Sequence, residues 1–103
     1  MRIYHAGIFV VVFALTGSAA IAADADHGAE LAKRWCATCH VVDNTQKQAN
    51  ADVLPFATIA REPNFSPEKL AFFLLDPHPK MPNFLLSRTE ATDLAAYIGS
   101  LRK

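Results

Sequence analysis

Two cysteines are all that this 103-residue chain contains, and both fall inside one five-residue stretch. None is left over for a structural disulfide. No alternating apolar-polar run pairs with another, and no repeat or low-complexity tract is present, so neither a sheet nor a repeat array is expected. Charge of neither sign prevails: ten basic and ten acidic residues give a formal net charge of zero, and nucleic-acid binding has no electrostatic support. Apolar runs stop short of the ~20 residues that a membrane-spanning helix needs. Methionine is scarce as well, with Met81 the sole one besides Met1.

The longest apolar run, from Ala6 to Leu15, follows a basic residue at Arg2 and precedes Ala20-Ile21-Ala22, a small-x-small cleavage pattern. That is the layout of a secretory signal peptide over residues 1–22. Its removal leaves residues 23–103 as one exported domain, with nine basic against ten acidic residues. A domain this short buries only ~60% of its unfolded surface and commonly needs a staple or an embedded group.

The chemistry concentrates at Cys36-Ala37-Thr38-Cys39-His40. On a helix, positions three and four apart share a face, with Cβ atoms roughly 5–6 Å apart. Two thiols and an imidazole then project together. That arrangement suits a macrocycle with two edge vinyl groups and a central metal: each thiol forms one thioether, and the histidine ligates iron through Nε2. The pattern is a c-type haem attachment signal. A tight disulfide does not require the adjoining histidine. A zinc site wants further ligands at finger-like spacing, which His5, His27 and His78 do not supply. A thioredoxin-type pair wants a βαβ context that is missing.

Along the rest of the chain the signals are helical. Asp24 or Asp26 can cap a first helix, whose pattern from Gly28 to His40 carries two stripes. Gly28, Leu31 and Trp35 form one, to pack on another helix. Ala32, Cys36, Cys39 and His40 form the other, to face the cofactor. His27, at the start of this helix, is given no role. Val41 to Leu54 reads as a polar loop, and Pro55 to Ala60 as a short helical turn with Phe56 and Ile59 inward. Ser66-Pro67-Glu68 opens a helix bearing Leu70, Phe73 and Leu74, widened by Phe72 and Leu75. It ends before Pro77. Ser87-Arg88-Thr89-Glu90 is a capping box, and Leu94, Tyr97, Ile98 and Leu101 follow helical spacing behind it. The fold class expected is all-α.

Between the last two helices runs Asp76-Pro77-His78-Pro79-Lys80-Met81-Pro82, where three prolines enforce a stiff, extended strap. Methionine often fills core gaps, but a gap filler has no need of flanking prolines, whereas an axial ligand must be held at one distance and angle. Met81 is therefore the candidate sixth ligand to iron, with His78 as its competitor. Filled axial positions leave substrate no place at iron, which points to an electron carrier. A haem enzyme or gas-binding protein with a labile sixth ligand is the alternative, and a haem-free exported helical domain with a Cys36–Cys39 disulfide is a third reading. Apolar neighbours such as Phe56, Phe73 and Leu74 would disfavour the extra charge of Fe(III). Lys33, Lys47 and Lys80 read as solvated surface rather than a docking rim.

The haem motif, the Pro79-Lys80-Met81-Pro82 strap and the terminal Leu94-Ala95-Ala96-Tyr97-Ile98 segment, in that order, resemble a small class I monohaem bacterial cytochrome c. The resemblance implies three to four short helices wrapped around one covalently attached haem c. It further implies first and last helices that cross near a glycine and an aromatic, matched by Gly28 and Tyr97. It also implies a proline whose carbonyl accepts a hydrogen bond from the axial histidine's Nδ1–H, for which Pro55 is the candidate, although Leu54 stands where the family usually has glycine. Together with the signal peptide, the resemblance implies a periplasmic, monomeric single-electron carrier that serves redox protein partners, with no membrane insertion after cleavage.

Overall fold

The computed structural model describes residues 2–14, 22–46, 52–77 and 79–103. Four α-helices appear among them, α1 (Ala25–Leu31), α2 (Phe56–Ala60), α3 (Pro67–Leu75) and α4 (Arg88–Ser100), together with a π-helical turn over Ala32–Cys36 that continues α1. The described residues contain no strand, in agreement with the all-α expectation. Residues 2–14 form no helix, and the large apolar side chains from Ile3 to Phe13 are exposed. No described helix is long and apolar enough to cross a membrane.

The caps stand where the sequence puts them. Asp24 accepts from the His27 N–H at the start of α1. Ser66 caps α3 with Pro67 at its first position, and Ser87 and Glu90 exchange both bonds of the capping box on α4. Pro77 ends α3 as expected, with Asp76 as its final cap.

α1 and α4 make the most extensive helix-helix contact, and Gly28 permits it. A Cβ built there would lie 2.0 Å from the Asp93 carbonyl oxygen and 2.9 Å from Tyr97 Cβ, so only a residue without a side chain admits α4 this closely. The core collects around the crossing: Leu31, Ala32 and Cys36 from the first segment, Val42, Phe56 and Ala60 from the middle, Leu74 from α3, and Ala91, Leu94 and Ile98 from α4.

His27, given no role from sequence, is in fact a clasp. Its Nδ1 lies 2.7 Å from Asp93 Oδ2, while the Asp24 N–H donates to Asp93 Oδ1 at 2.8 Å. Burial alone would push the Asp93 carboxyl up, but the bonds from His27 and the Asp24 backbone outweigh it and hold the group below the usual carboxylate value. The same bond to Asp93 raises His27 above the ordinary histidine value. A buried acid is thus paired and hydrogen-bonded, as burial of a charge requires.

Two expectations need correction. The pattern from Gly28 to His40 is not one regular helix: the Ala37 N–H reaches back five residues to the Ala32 carbonyl. The widened turn lets Leu31, Ala32 and Cys36 all face the core, and such bulges are frequent at functional sites. On α3, Phe72 is 77% exposed, so Leu74 and the partly buried Leu70 and Leu75, rather than Phe72, carry its packing on the protein core, with Phe73 at the edge of that face.

Candidate metal centre

The π-helical turn delivers Cys36 to the edge of the core, where it is buried, and the chain then closes a tight turn: the Cys39 and His40 N–H groups both donate to the Cys36 carbonyl, at 3.1 and 2.8 Å. Cys39 is exposed and His40 half-buried. Both thiols are free. Burial, with a smaller contribution from the neighbouring Cys39, pushes the Cys36 thiol up to about 11, so it stays protonated at neutral pH.

Gln46 locks this turn from outside. Its Nε2 donates to the carbonyls of Ala37 and His40, each at 2.9 Å, and its Oε1 accepts from the Val42 N–H at 3.1 Å. Asp43 holds Gln46 in place by accepting from its backbone N–H and from both donors of Thr45. From α4, the Tyr97 hydroxyl donates to the Val42 carbonyl at 2.6 Å. Sequence reasoning passed over Gln46, since a glutamine in a polar loop carries no pattern of its own.

His40 Nδ1 stands 2.6 Å from the carbonyl oxygen of Leu54. A carbonyl only accepts, so Nδ1 carries the proton and the lone pair of the neutral ring is on Nε2. The carbonyl expected in this role was that of Pro55, and the structure gives it to the residue before. Pro55 is the N-cap of α2, and its own carbonyl is taken by the Thr58 and Ile59 N–H groups at 3.0 and 3.1 Å. Pro55 fixes the entry to α2, and the Phe56 N–H bonds to the Val41 carbonyl at 2.9 Å. The segment bearing Leu54 is thereby strapped to the chain just after His40. Phe56 packs against the imidazole with the rings tilted by 45° and their centroids 5.0 Å apart.

Met81 is partly buried and packs against the common core cluster. His78, its competitor, lies outside the described residues. A groove of about 400 Å³ between α3 and α4 is lined by residues such as Ala71, Phe72, Leu75 and Ala96 and by none of Cys36, Cys39, His40 or Met81. The donor set nevertheless fits haem c: two unpaired thiols three apart, an imidazole whose Nδ1 bonds a carbonyl and whose Nε2 has no bond among the described residues, and a thioether elsewhere on the same core.

Residues 23–98 match the family model described as "Cytochrome C oxidase, cbb3-type, subunit III". Over 103 residues the chain is 67% identical to "Cytochrome c-552" of Bradyrhizobium diazoefficiens, with 99% of each chain covered. No solved structure matches. With its free Cys36 and Cys39 and its oriented His40, the chain belongs to the cytochrome c family as a small monohaem, electron-carrying member whose cofactor is haem c.

Proposed function

We propose that this chain is an exported, periplasmic carrier of single electrons, with haem c bonded through Cys36 and Cys39 and its iron held by His40 Nε2 on one side and Met81 on the other. The observation that carries the reading is the bond from His40 Nδ1 to the Leu54 carbonyl. It fixes the tautomer that leaves Nε2 as the ligand and strengthens its donation.

Haem c, when bound, supplies an iron that alternates between Fe(III) and Fe(II). The protein's part is to hold and to exclude. Cys36 and Cys39 hold the group by thioethers from one turn, which Gln46 and Tyr97 brace. Met81, a thioether donor, favours the reduced state. With His40 and Met81 both as ligands, the iron would offer no open position to a substrate, which favours a carrier over an enzyme. The family match beginning at residue 23 and the exposed, non-helical residues 2–14 support residues 1–22 as a leader to be removed and residues 23–103 as the working domain. Partners are then other exported redox proteins, met by a monomer.

Haem staining after denaturing electrophoresis tests attachment. The parent chain retains stain, and Cys36→Ala and Cys39→Ala each lose most of it. Full staining of both variants would remove these cysteines from the site.

A further inference from the structure

We propose that Phe84, stacked on Trp35, is a positioning residue that holds the strap so that Met81 is presented to the iron; this rests on the ligand role proposed for Met81. The two rings lie 6.1 Å apart at an interplanar angle of 7°, within the range of an attractive offset stack. Trp35 immediately precedes Cys36. Phe84 comes three residues after Met81, with Pro82 between them fixing its own φ. The stack therefore ties the strap to the segment that carries the attachment turn, through a link of at most ~10 Å and little freedom.

The backbone beyond Met81 is shaped toward that contact. Asn83 Oδ1 accepts from the Leu85 N–H at 2.9 Å, and Leu85 has φ of 54°, the single positive φ among the described residues. A leucine is disfavoured in the left-handed region, and its side chain gains little there, being 85% exposed. What the conformation secures lies on either side: Phe84 against Trp35, and Leu86 packed on the core. Beyond Phe84 the chain enters the Ser87 cap of α4, so the stack and that cap together fix the segment that follows Met81.

The test compares holoprotein variants by two spectroscopic readouts, the long-wavelength charge-transfer band of the ferric protein and the rate at which the ferrous protein takes up carbon monoxide at neutral pH. Loss of an aromatic stack corresponds to a rise of about 2- to 10-fold in the open population. Phe84→Ala is expected to keep haem on the chain, weaken the band and raise carbon monoxide uptake by that factor, while Phe84→Tyr restores both. Phe84→Leu, which keeps bulk without the ring face, gives the intermediate result and serves if the alanine variant does not accumulate. A general loss of packing would lower unfolding temperature in every variant without this ordering. If Met81→Ala abolishes the band while Phe84→Ala and Phe84→Leu match the parent in both readouts, the positioning role is overturned and the ligand assignment stands. If Met81→Ala leaves the band intact, the ligand assignment itself fails, and the positioning role with it.

Discussion

Replacing Gly28 by alanine puts a methyl group where α4 already is. The added Cβ would meet the Asp93 carbonyl oxygen at 2.0 Å, its carbon at 2.6 Å and Tyr97 Cβ at 2.9 Å. The first two are backbone atoms of a helix, which cannot rotate aside, and a carbon-oxygen contact wants roughly 3.3 Å. The helices must therefore separate by more than an ångström, and a gap of that size forfeits a quarter to a half of the dispersion energy of facing atoms. Overpacking of this kind costs ~1–3 kcal/mol, occasionally more, against a gain of ~1 kcal/mol from alanine's better helix propensity. Because the clash is with backbone, the upper end of the range applies, for a net loss of about 2 kcal/mol. In a domain of this size that lowers the melting temperature by roughly 8–16 °C, read by circular dichroism on the holoprotein. Gly99→Ala is the control. Its Cβ would meet only the Phe65 ring, at 3.3 Å, and Pro67 at 3.7 Å, so stability should be unchanged or slightly raised. A Gly28→Ala protein that melts with the parent, or a Gly99→Ala protein that falls as far, would refute the reasoning.

Other perturbations probe separate parts of the structure. Tyr97→Phe removes the hydroxyl that donates to the Val42 carbonyl and should cost about 1–2 kcal/mol in urea unfolding; no loss would deny that the bond braces the attachment turn. The His27–Asp93 clasp makes stability depend on pH. Because folding raises the His27 value above its ordinary 6.5, that contribution is complete below about pH 6.5 and fades as pH rises through the raised value. Because folding lowers the Asp93 value below its ordinary 3.8, that contribution is present above about pH 4 and is lost as pH falls through the lowered value. The melting-temperature difference between the parent and His27→Gln should accordingly be largest between about pH 4 and 6.5 and shrink on the alkaline side; a difference that grows with alkalinity would contradict the clasp. Leu85→Asn relieves a left-handed leucine, with φ of 54°, by a residue that tolerates the conformation and should gain up to about 1 kcal/mol in the same assay; a loss of stability would contradict it.

Much of this architecture was legible because local signals dominate it. Asp24, Ser66-Pro67 and the Ser87–Glu90 box fix helix starts by chemistry within four residues, and each works as read. Gly28 and Tyr97 were placed through the family resemblance, and they do meet. What escaped depends on partners distant in the chain. His27 looked idle because Asp93, its partner, is 66 positions away. The change to a π-helical turn at Ala32 has no residue signature, since alanine, lysine, arginine and tryptophan all fit an α-helix. Gln46 reveals its role only once the turn it clamps is folded. The histidine's carbonyl partner moved from Pro55 to Leu54 because capping α2 commits the proline's own carbonyl to the helix.

Absorption spectroscopy of the purified protein, ferric and then ferrous with and without carbon monoxide, bears most directly on the claim that His40 and Met81 grip a covalently bound haem. The expected result is the weak long-wavelength band of methionine-ligated Fe(III) and a ferrous spectrum that carbon monoxide leaves unchanged at neutral pH. A ferric protein without that band, or a ferrous one that binds the gas readily, would contradict it.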